Sequence, residues 1–221
     1  MAANKKATNV IAAVVTFVSV IALYTTLHGF GPRVDTTAHK ALGQMVAEEA
    51  LKARGPAGRI TVLARDTGTQ KNPYADAELE TLQHTLKKAR GVITTTRLLK
   101  LNPIRLIAVA PGDFFDVLKK ASEEDVVVSL IGPPVLSDQQ AAKLGERHPK
   151  IVAICAGWTP QQVNLRRIFE QGLLSAAIIS RPDPSASGGR SMEETFSRNF
   201  AVITSANLSE LPLMASAVGA K

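Results

Sequence analysis

Short apolar runs rich in β-branched residues alternate in this sequence with polar, clearly marked helix starts, and this alternation restricts the fold most strongly. Several runs are apolar on both faces, as strands buried within a parallel sheet are. The strand-like runs are residues 59–65, 91–99, 104–110, 125–131, 150–156, 174–180 and 199–205. Repetition of strand, turn and helix predicts an α/β fold, a three-layer domain over residues 34–221 with a mostly parallel sheet.

Capping side chains mark the predicted helix starts, because each can accept hydrogen bonds from backbone N–H groups that have no partner in the first turn. The predicted caps are Asp35, Asn72 before Pro73, Asp113, Ser137 with Gln140, and Thr159 with Gln162. Two segments are less regular. Residues 91–110 form either two strands or one strand with a hairpin-like return at Asn102-Pro103, and residues 181–190 have the composition of a flexible loop.

The N-terminal segment, residues 1–33, contains an apolar run from residue 10 to residue 27. As a helix this run would be about 27 Å long, close to the thickness of a hydrocarbon core. A cleaved secretory leader has a shorter apolar region and a small-residue cleavage site, which is absent here. We therefore expect a single transmembrane helix contacting lipid, rather than a cleaved leader or a buried core helix.

Charges that flank the apolar run predict its orientation. Lys5, Lys6 and the free amino group precede it, whereas Asp35 lies between Arg33 and Lys40 after it. Positive charge tends to stay on the cytoplasmic side. We therefore expect a single-pass membrane protein with a cytoplasmic N-terminus and a periplasmic or otherwise extracytoplasmic main domain.

The net charge of +7 is compatible with nucleic acid, anionic lipid or an acidic protein partner. Aromatic residues do not interleave with the basic clusters, so nothing predicts a surface for stacking single-stranded bases and no nucleic-acid partner is expected. The clusters at residues 87–90, 119–120 and 166–167 fall on predicted helices, where solvated faces or a lipid or protein contact account for them.

The sequence has one cysteine, Cys155, so an intramolecular disulfide is excluded. Cys155 lies in an apolar strand, where a thiol is usually buried and inert.

A small-molecule site, if present, should lie beyond the carboxyl ends of the strands, as it does in open α/β sheets. The loops there supply five candidate ligand-binding residues: Asp66, Thr67, Thr69, Trp158 and Arg181. Three of these residues can also be explained by a structural role without a ligand. Asp66 can cap its own turn, Trp158 can pin its loop to a neighbouring element, and Arg181 can pair with Asp183 instead of a ligand carboxylate.

Motifs for catalysis, cofactors and metals are missing from the sequence. It contains no phosphate-binding loop, no dinucleotide-binding glycine pattern, no nucleophile elbow and no H-E-x-x-H pair of histidines. We therefore expect no cofactor, no metal and no enzymatic activity.

Residues 58–184 resemble one lobe of a type I periplasmic binding protein. The resemblance rests on "RITVLARDTGT", "FFDVLKKASEEDVVVSLIGPP", "KIVAICAGW" and "GLLSAAIISRPDP". It implies a flavodoxin-like sheet with a ligand site at the carboxyl ends of the strands. Members of that family close two lobes around a solute, and the residues after 185 are too few for a second lobe. The lobe therefore needs a partner, or it serves as a docking module.

Two functions follow from these observations. The first is a non-enzymatic accessory or scaffold subunit of a membrane complex, anchored by residues 10–27 and contacting other subunits through its basic helix faces. The alternative is a membrane-tethered solute-binding or sensor lobe that uses the candidate residues above.

Overall fold

The computed structural model describes residues 13–24, 34–68, 71–100, 111–156, 164–181 and 189–211. The chain divides into two compact units, Met1–Asp35 and Thr36–Lys221. Within the first unit, residues 13–24 form helix α1, and its apolar side chains are exposed. Among the described residues, no helix is both long enough and apolar enough to cross a membrane.

A six-stranded sheet in the described residues forms the centre of the second unit, with strand order β2-β1-β3-β4-β5-β6. The strands are β1 (Ile60–Arg65), β2 (Thr94–Leu99), β3 (Val126–Ser129), β4 (Lys150–Ile154), β5 (Ala176–Ser180) and β6 (Phe200–Ile203). Strands β1 to β5 are parallel, and β6 pairs antiparallel with β5. The predicted α/β fold with a mostly parallel sheet is confirmed. The predicted strand over 104–110 lies outside the described residues.

Helices cover both faces of this sheet. They are α2 (Thr37–Ala53), α3 (Pro73–Lys88), α4 (Pro111–Lys119), α5 (Asp138–Leu144), α6 (Leu165–Glu170) and α7 (Met192–Asn199), followed by a 3₁₀ helix (Ser205–Glu210). Helices α2, α3 and α7 pack on one face, and α4, α6 and the 3₁₀ helix pack on the other. The predicted three layers are therefore present.

Strand β3 shows how the sequence separates the two cores. Its apolar side chains alternate between opposite faces, and all are fully buried. Val126 and Val128 enter the core beneath α2, whereas Val127 enters the core that contains Phe114 of α4. A strand buried on both faces has to be apolar throughout, which is why this run reads as a continuous apolar segment.

Helix α3 begins where the sequence chemistry predicts. The Asn72 side chain accepts hydrogen bonds from the backbone N–H groups of Tyr74 and Ala75 at 3.1 and 3.3 Å, and Pro73 follows at the first helical position. Leu82 and Leu86 bury the inner face of the helix. The capping box of Ser137 and Gln140 at α5 is confirmed as well.

Two predicted caps are wrong. Helix α2 begins after Thr36 rather than Asp35, and the side chain of Thr36 makes no capping hydrogen bond. Helix α4 begins at Pro111, which places Asp113 in its first turn instead of before it. An acidic residue there still interacts favourably with the positive end of the helix dipole.

The predicted capping box of Thr159 and Gln162 lies outside the described residues. Helix α6 is capped by Asn164, whose side chain accepts a hydrogen bond from the backbone N–H of Arg167 at 3.0 Å.

A buried carboxylate joins the amino ends of β1 and β3. Asp125 is 4% exposed and accepts hydrogen bonds from the backbone N–H of Arg59 at 2.7 Å, the Arg59 guanidinium at 3.1 Å and the backbone N–H of Ser122 at 2.9 Å. Burial alone would raise the pKa of this carboxyl group, but the hydrogen bonds from Arg59 and Ser122 outweigh it and lower the pKa to about 2. The folded state therefore favours the ionised form.

This depressed pKa predicts an acid-dependent loss of stability. Ionised Asp125 stabilises the fold fully above its unfolded pKa near 3.8, and the contribution is lost as the pH falls towards about 2. We expect Asp125→Asn to lower the free energy of unfolding near pH 6 by about 2 kcal/mol. The difference from the native chain should shrink to near zero at pH 2. Urea unfolding followed by circular dichroism across this pH range measures it.

The matched control for this experiment is Asp116→Asn, which removes an exposed carboxylate from α4. It should leave the pH dependence of unfolding unchanged. A constant difference between the native chain and Asp125→Asn from pH 6 to pH 2 would contradict the assigned pKa shift.

Candidate functional site

The strand order reverses between β1 and β3, which places a crevice at the carboxyl end of β1. The chain leaves β1 for β2 on one side and then returns to the other side of β1 as β3. Connections that diverge in this way leave room above the strand ends, and ligands of open α/β sheets bind there. The β1–α3 connection lies at this position.

An open cleft of about 490 Å³ occupies the β1–α3 connection. Its lining residues are Arg65, Asp66, Thr67, Lys71, Asn72, Pro73 and Tyr74. The volume lies within the range of small-molecule sites. The structure therefore brings two of the candidate residues, Asp66 and Thr67, into one concave surface.

Asp66 organises the turn that forms one wall of the cleft. Its backbone N–H donates to the carbonyl oxygen of Leu99 at 2.8 Å, which attaches the turn to the end of β2. Its Oδ1 accepts from the backbone N–H of Gly68 at 2.9 Å, and Gly68 has a φ of +54°. This is the turn-capping role that was expected for Asp66 as the alternative to binding a ligand. Among the described residues, no hydrogen bond is made to Oδ2.

The charge and exposure of the lining suit a polar solute. Arg65 and Lys71 are exposed and positive, and Asp66 supplies one negative charge, so the lining has a net charge of +1. Tyr74 is 43% exposed and adds an aromatic surface. A few charged hydrogen-bonding groups beside one ring are a typical arrangement for fixing the orientation of a small polar molecule.

The loop after β3 closes on itself and contributes no polar side chain to this cleft. Buried Ser129 donates through Oγ to the carbonyl oxygen of Gly132 at 2.5 Å, and Gly132 has a φ of +111°. Pro133 and Pro134 follow and are buried. The loop after β3 is therefore apolar, and it offers no hydrogen-bonding side chain to a ligand in the cleft.

Arg181 lies apart from the β1 cleft and is held by β6. Its backbone N–H donates to the carbonyl oxygen of Asn199 at 2.8 Å, and its Nε donates to that of Phe200 at 3.1 Å. Strand β5, which it follows, is separated from β1 by β3 and β4. Three interstrand steps amount to about 14 Å. Arg181 and Asp66 therefore do not line the same pocket.

The two remaining candidates, Thr69 and Trp158, lie outside the described residues.

Cys155, directly after β4, is fully buried, and burial raises the pKa of its thiol. A thiol in this state is not a nucleophile. No group of His, Cys, Asp and Glu side chains within the described part of the chain could hold a metal ion.

Several lining residues had no individual signal in the sequence. Arg65, Lys71 and Tyr74 flank a predicted cap and strand end, yet only the fold shows that these positions share a wall. The strongest available indication was the cap at Asn72-Pro73, because it fixes where the first turn of α3 begins. Tyr74, in that first turn, therefore had to lie near the end of β1.

Comparison by sequence identifies no relatives: no protein-family model matches the chain, and no curated protein does. Comparison by structure does find similar proteins. An ABC transporter solute-binding protein from Agrobacterium vitis, solved with α-D-tagatopyranose, matches with a TM-score of 0.51 and 17% identity, covering 83% of this chain and 61% of that protein.

Two further structures show the same likeness. An ABC sugar transporter subunit from Rhodobacter sphaeroides matches with a TM-score of 0.53 and 13% identity, covering 76% of this chain and 63% of that protein. A putative LacI transcriptional regulator from Bacteroides fragilis matches with a TM-score of 0.51 and 8% identity, covering 78% and 61%. The fold is that of a type I periplasmic-binding-protein lobe.

The periplasmic-binding-protein-like lobe of this chain is shorter than the proteins it resembles. It spans about three fifths of the length of each of them, between 61% and 63%. These proteins include both transport proteins and a regulator, so the likeness shows the fold, and the function has to be argued from the site.

Proposed function

We propose that this protein is a membrane-tethered solute-binding lobe, and that its ligand is a small polar solute of the sugar class. The observation that carries this proposal is the polar cleft of the β1–α3 connection at the reversal of strand order. It is also supported by two structurally similar solute-binding proteins, which were solved with D-fucose and with α-D-tagatopyranose. This proposal favours the alternative of the two functions predicted from the sequence.

The chemistry of the cleft fits a sugar better than an apolar molecule. Sugar hydroxyl groups both donate and accept hydrogen bonds, and their C–H faces pack on aromatic rings. Arg65 and Lys71 supply donors, the Oδ2 atom of Asp66 supplies an acceptor, and Tyr74 supplies the ring. Hydrogen bonds to charged groups are the stronger kind, which helps an exposed site hold a ligand.

Within the described residues the cleft is open to water on the side away from the β1–α3 connection. A ligand bound there keeps one side in water, so the affinity of the isolated chain should be about millimolar. We infer that a second lobe, from a partner protein or a second copy, closes over the ligand in the working assembly. The lobe itself has no catalytic role in this proposal.

We further propose that residues 10–27 anchor the lobe in a membrane, with the N-terminus in the cytoplasm and the lobe outside. The support is the uncharged sequence from Ala7 to Pro32 and the exposed apolar side chains of α1. We expect the full-length chain to stay with native membranes during alkaline carbonate extraction, as proteins that span the bilayer do. Release into the supernatant would contradict the anchor.

The second candidate function is the accessory or scaffold subunit of a membrane complex. The observation that favours it is the exposed basic cluster at the end of α3, formed by Lys87, Lys88 and Arg90. Within the described residues, none of these three forms an ion pair. An acidic surface of another subunit is the partner that such a cluster fits.

Sugar binding by the full-length chain in detergent tests the leading proposal. Saturation-transfer NMR titrations with D-fucose and D-tagatose should give a dissociation constant of about 1 mM for at least one of them. Asp66→Asn should weaken that binding about tenfold, because a charged acceptor becomes a neutral one while the Oδ1 contact with Gly68 can persist. Asp116→Asn, a charge-matched control on α4, should leave it unchanged.

Two outcomes would contradict this proposal. Absence of saturation transfer to both D-fucose and D-tagatose would contradict the proposed binding. Equal affinity of the Asp66→Asn and Asp116→Asn variants would place any binding elsewhere. If neither sugar binds and gentle-detergent purification recovers a stoichiometric membrane complex, the result favours the second candidate.

A further inference from the structure

His39 of helix α2 contacts a lining residue of the cleft, Tyr74. The Nδ1 atom of His39 lies 2.5 Å from Oε1 of Glu78, and the ring centroids of His39 and Tyr74 are 4.7 Å apart with an interplanar angle of 40°. Glu78 and Tyr74 are one turn apart on α3, so they present neighbouring side chains to His39. Tyr74 is also a lining residue of the cleft.

The carboxylate of Glu78 holds His39 in this position. The Glu78 side chain is only 13% exposed, whereas that of His39 is 33% exposed. A carboxylate that is largely removed from water needs a hydrogen-bonding partner, and His39 supplies it. The imidazole is thereby fixed from one side, which leaves its ring face to pack on Tyr74.

The backbones of α2 and α3 fix the same geometry. At Gly43, one turn along α2 from His39, an added Cβ would lie 2.3 Å from the carbonyl oxygen of Glu78. The two helices therefore approach closely at this point, and a side chain at position 43 would push them apart. With the helix axes set in this way, the distance between His39 and Tyr74 cannot vary freely.

We propose that His39 is a positioning residue for the ligand site, holding the Tyr74 ring in place as a preformed wall of the cleft. Tyr74 is 43% exposed, and an exposed tyrosine without such a contact would sample several rotamers. Fixing the ring before the ligand arrives avoids the loss of side-chain freedom on binding. Helix α2, which supplies none of the lining residues, takes part in ligand binding through this contact.

The inference rests on the proposed function where it concerns affinity, and its first test needs no ligand. Nitration of Tyr74 by tetranitromethane, followed by peptide mass spectrometry of the full-length chain, reports how well the ring is shielded. His39→Ala should raise the nitration rate of Tyr74 several-fold. His84→Ala, which removes an exposed histidine from the same helix as Tyr74, should leave that rate unchanged.

The conservative variant His39→Gln separates positioning from a general effect on folding. Its side-chain amide can still donate to Glu78, so circular dichroism should show a native-like fold. It lacks the aromatic ring, so Tyr74 nitration should still accelerate. An unchanged nitration rate in His39→Gln, with the fold intact, would overturn the positioning role.

Ligand affinity gives the second test. If D-fucose or D-tagatose binds the native chain, His39→Gln should weaken binding about three- to tenfold, which corresponds to one newly mobile side chain. Unchanged affinity in a variant with faster nitration would show that the ring position does not matter to the ligand and would overturn the inference. If neither sugar binds the native chain, the proposed function fails, and the nitration result alone decides whether His39 positions Tyr74.

Discussion

Burial of both faces of the central strands is the constraint on which the rest of this structure depends. All the residues of β3, and the apolar ones of β4 and β5, are buried or nearly so, which requires a layer of helices on each side of the sheet. Helices on both faces leave only the strand ends open to a ligand. The reversal of strand order at β1 then selects one of these ends. The position of the candidate site is thus a consequence of how the core is buried.

Helix α2 links this core to the site. It precedes β1 in the chain and packs over β3 and β4 between α3 and α7. At Gly43 it approaches α3 so closely that a Cβ there would lie 2.3 Å from the carbonyl oxygen of Glu78, which brings the N-terminal ends of the two helices together. The contact between His39 and Tyr74 lies between these ends. A helix that mainly completes the hydrophobic core therefore also supports one wall of the cleft.

Much of this architecture was predictable from the sequence, because its physical causes are local. Runs such as residues 125–131 are apolar throughout, and the pairs Asn72-Pro73 and Ser137-Gln140 place helix starts by hydrogen bonds that span three residues. Prediction from local chemistry failed where two residues could each begin the same helix. Asp113 can cap a helix, but Pro111 is compatible with an earlier start, and the helix begins there.

The site was only partly predictable, because its members come together through the fold. Asp66 and Thr67 follow a strand and share the cleft, as a rule about strand ends suggests. The same rule also selected Arg181, yet β5 is three strands from β1 and Arg181 bonds to β6 instead. Strand order cannot be read from a single sequence. His39 is 39 residues from Glu78, so no local pattern relates the two.

Amide hydrogen exchange of the full-length chain, with and without saturating D-fucose and in parallel with saturating D-tagatose, tests most directly whether the β1–α3 connection binds the ligand. We expect slower exchange of backbone amides in residues 65–68 and 71–76 when the sugar is present, with little change in residues 176–181 after correction for global stability. Slower exchange confined to the end of β5, or no change at the β1–α3 connection, would contradict this expectation.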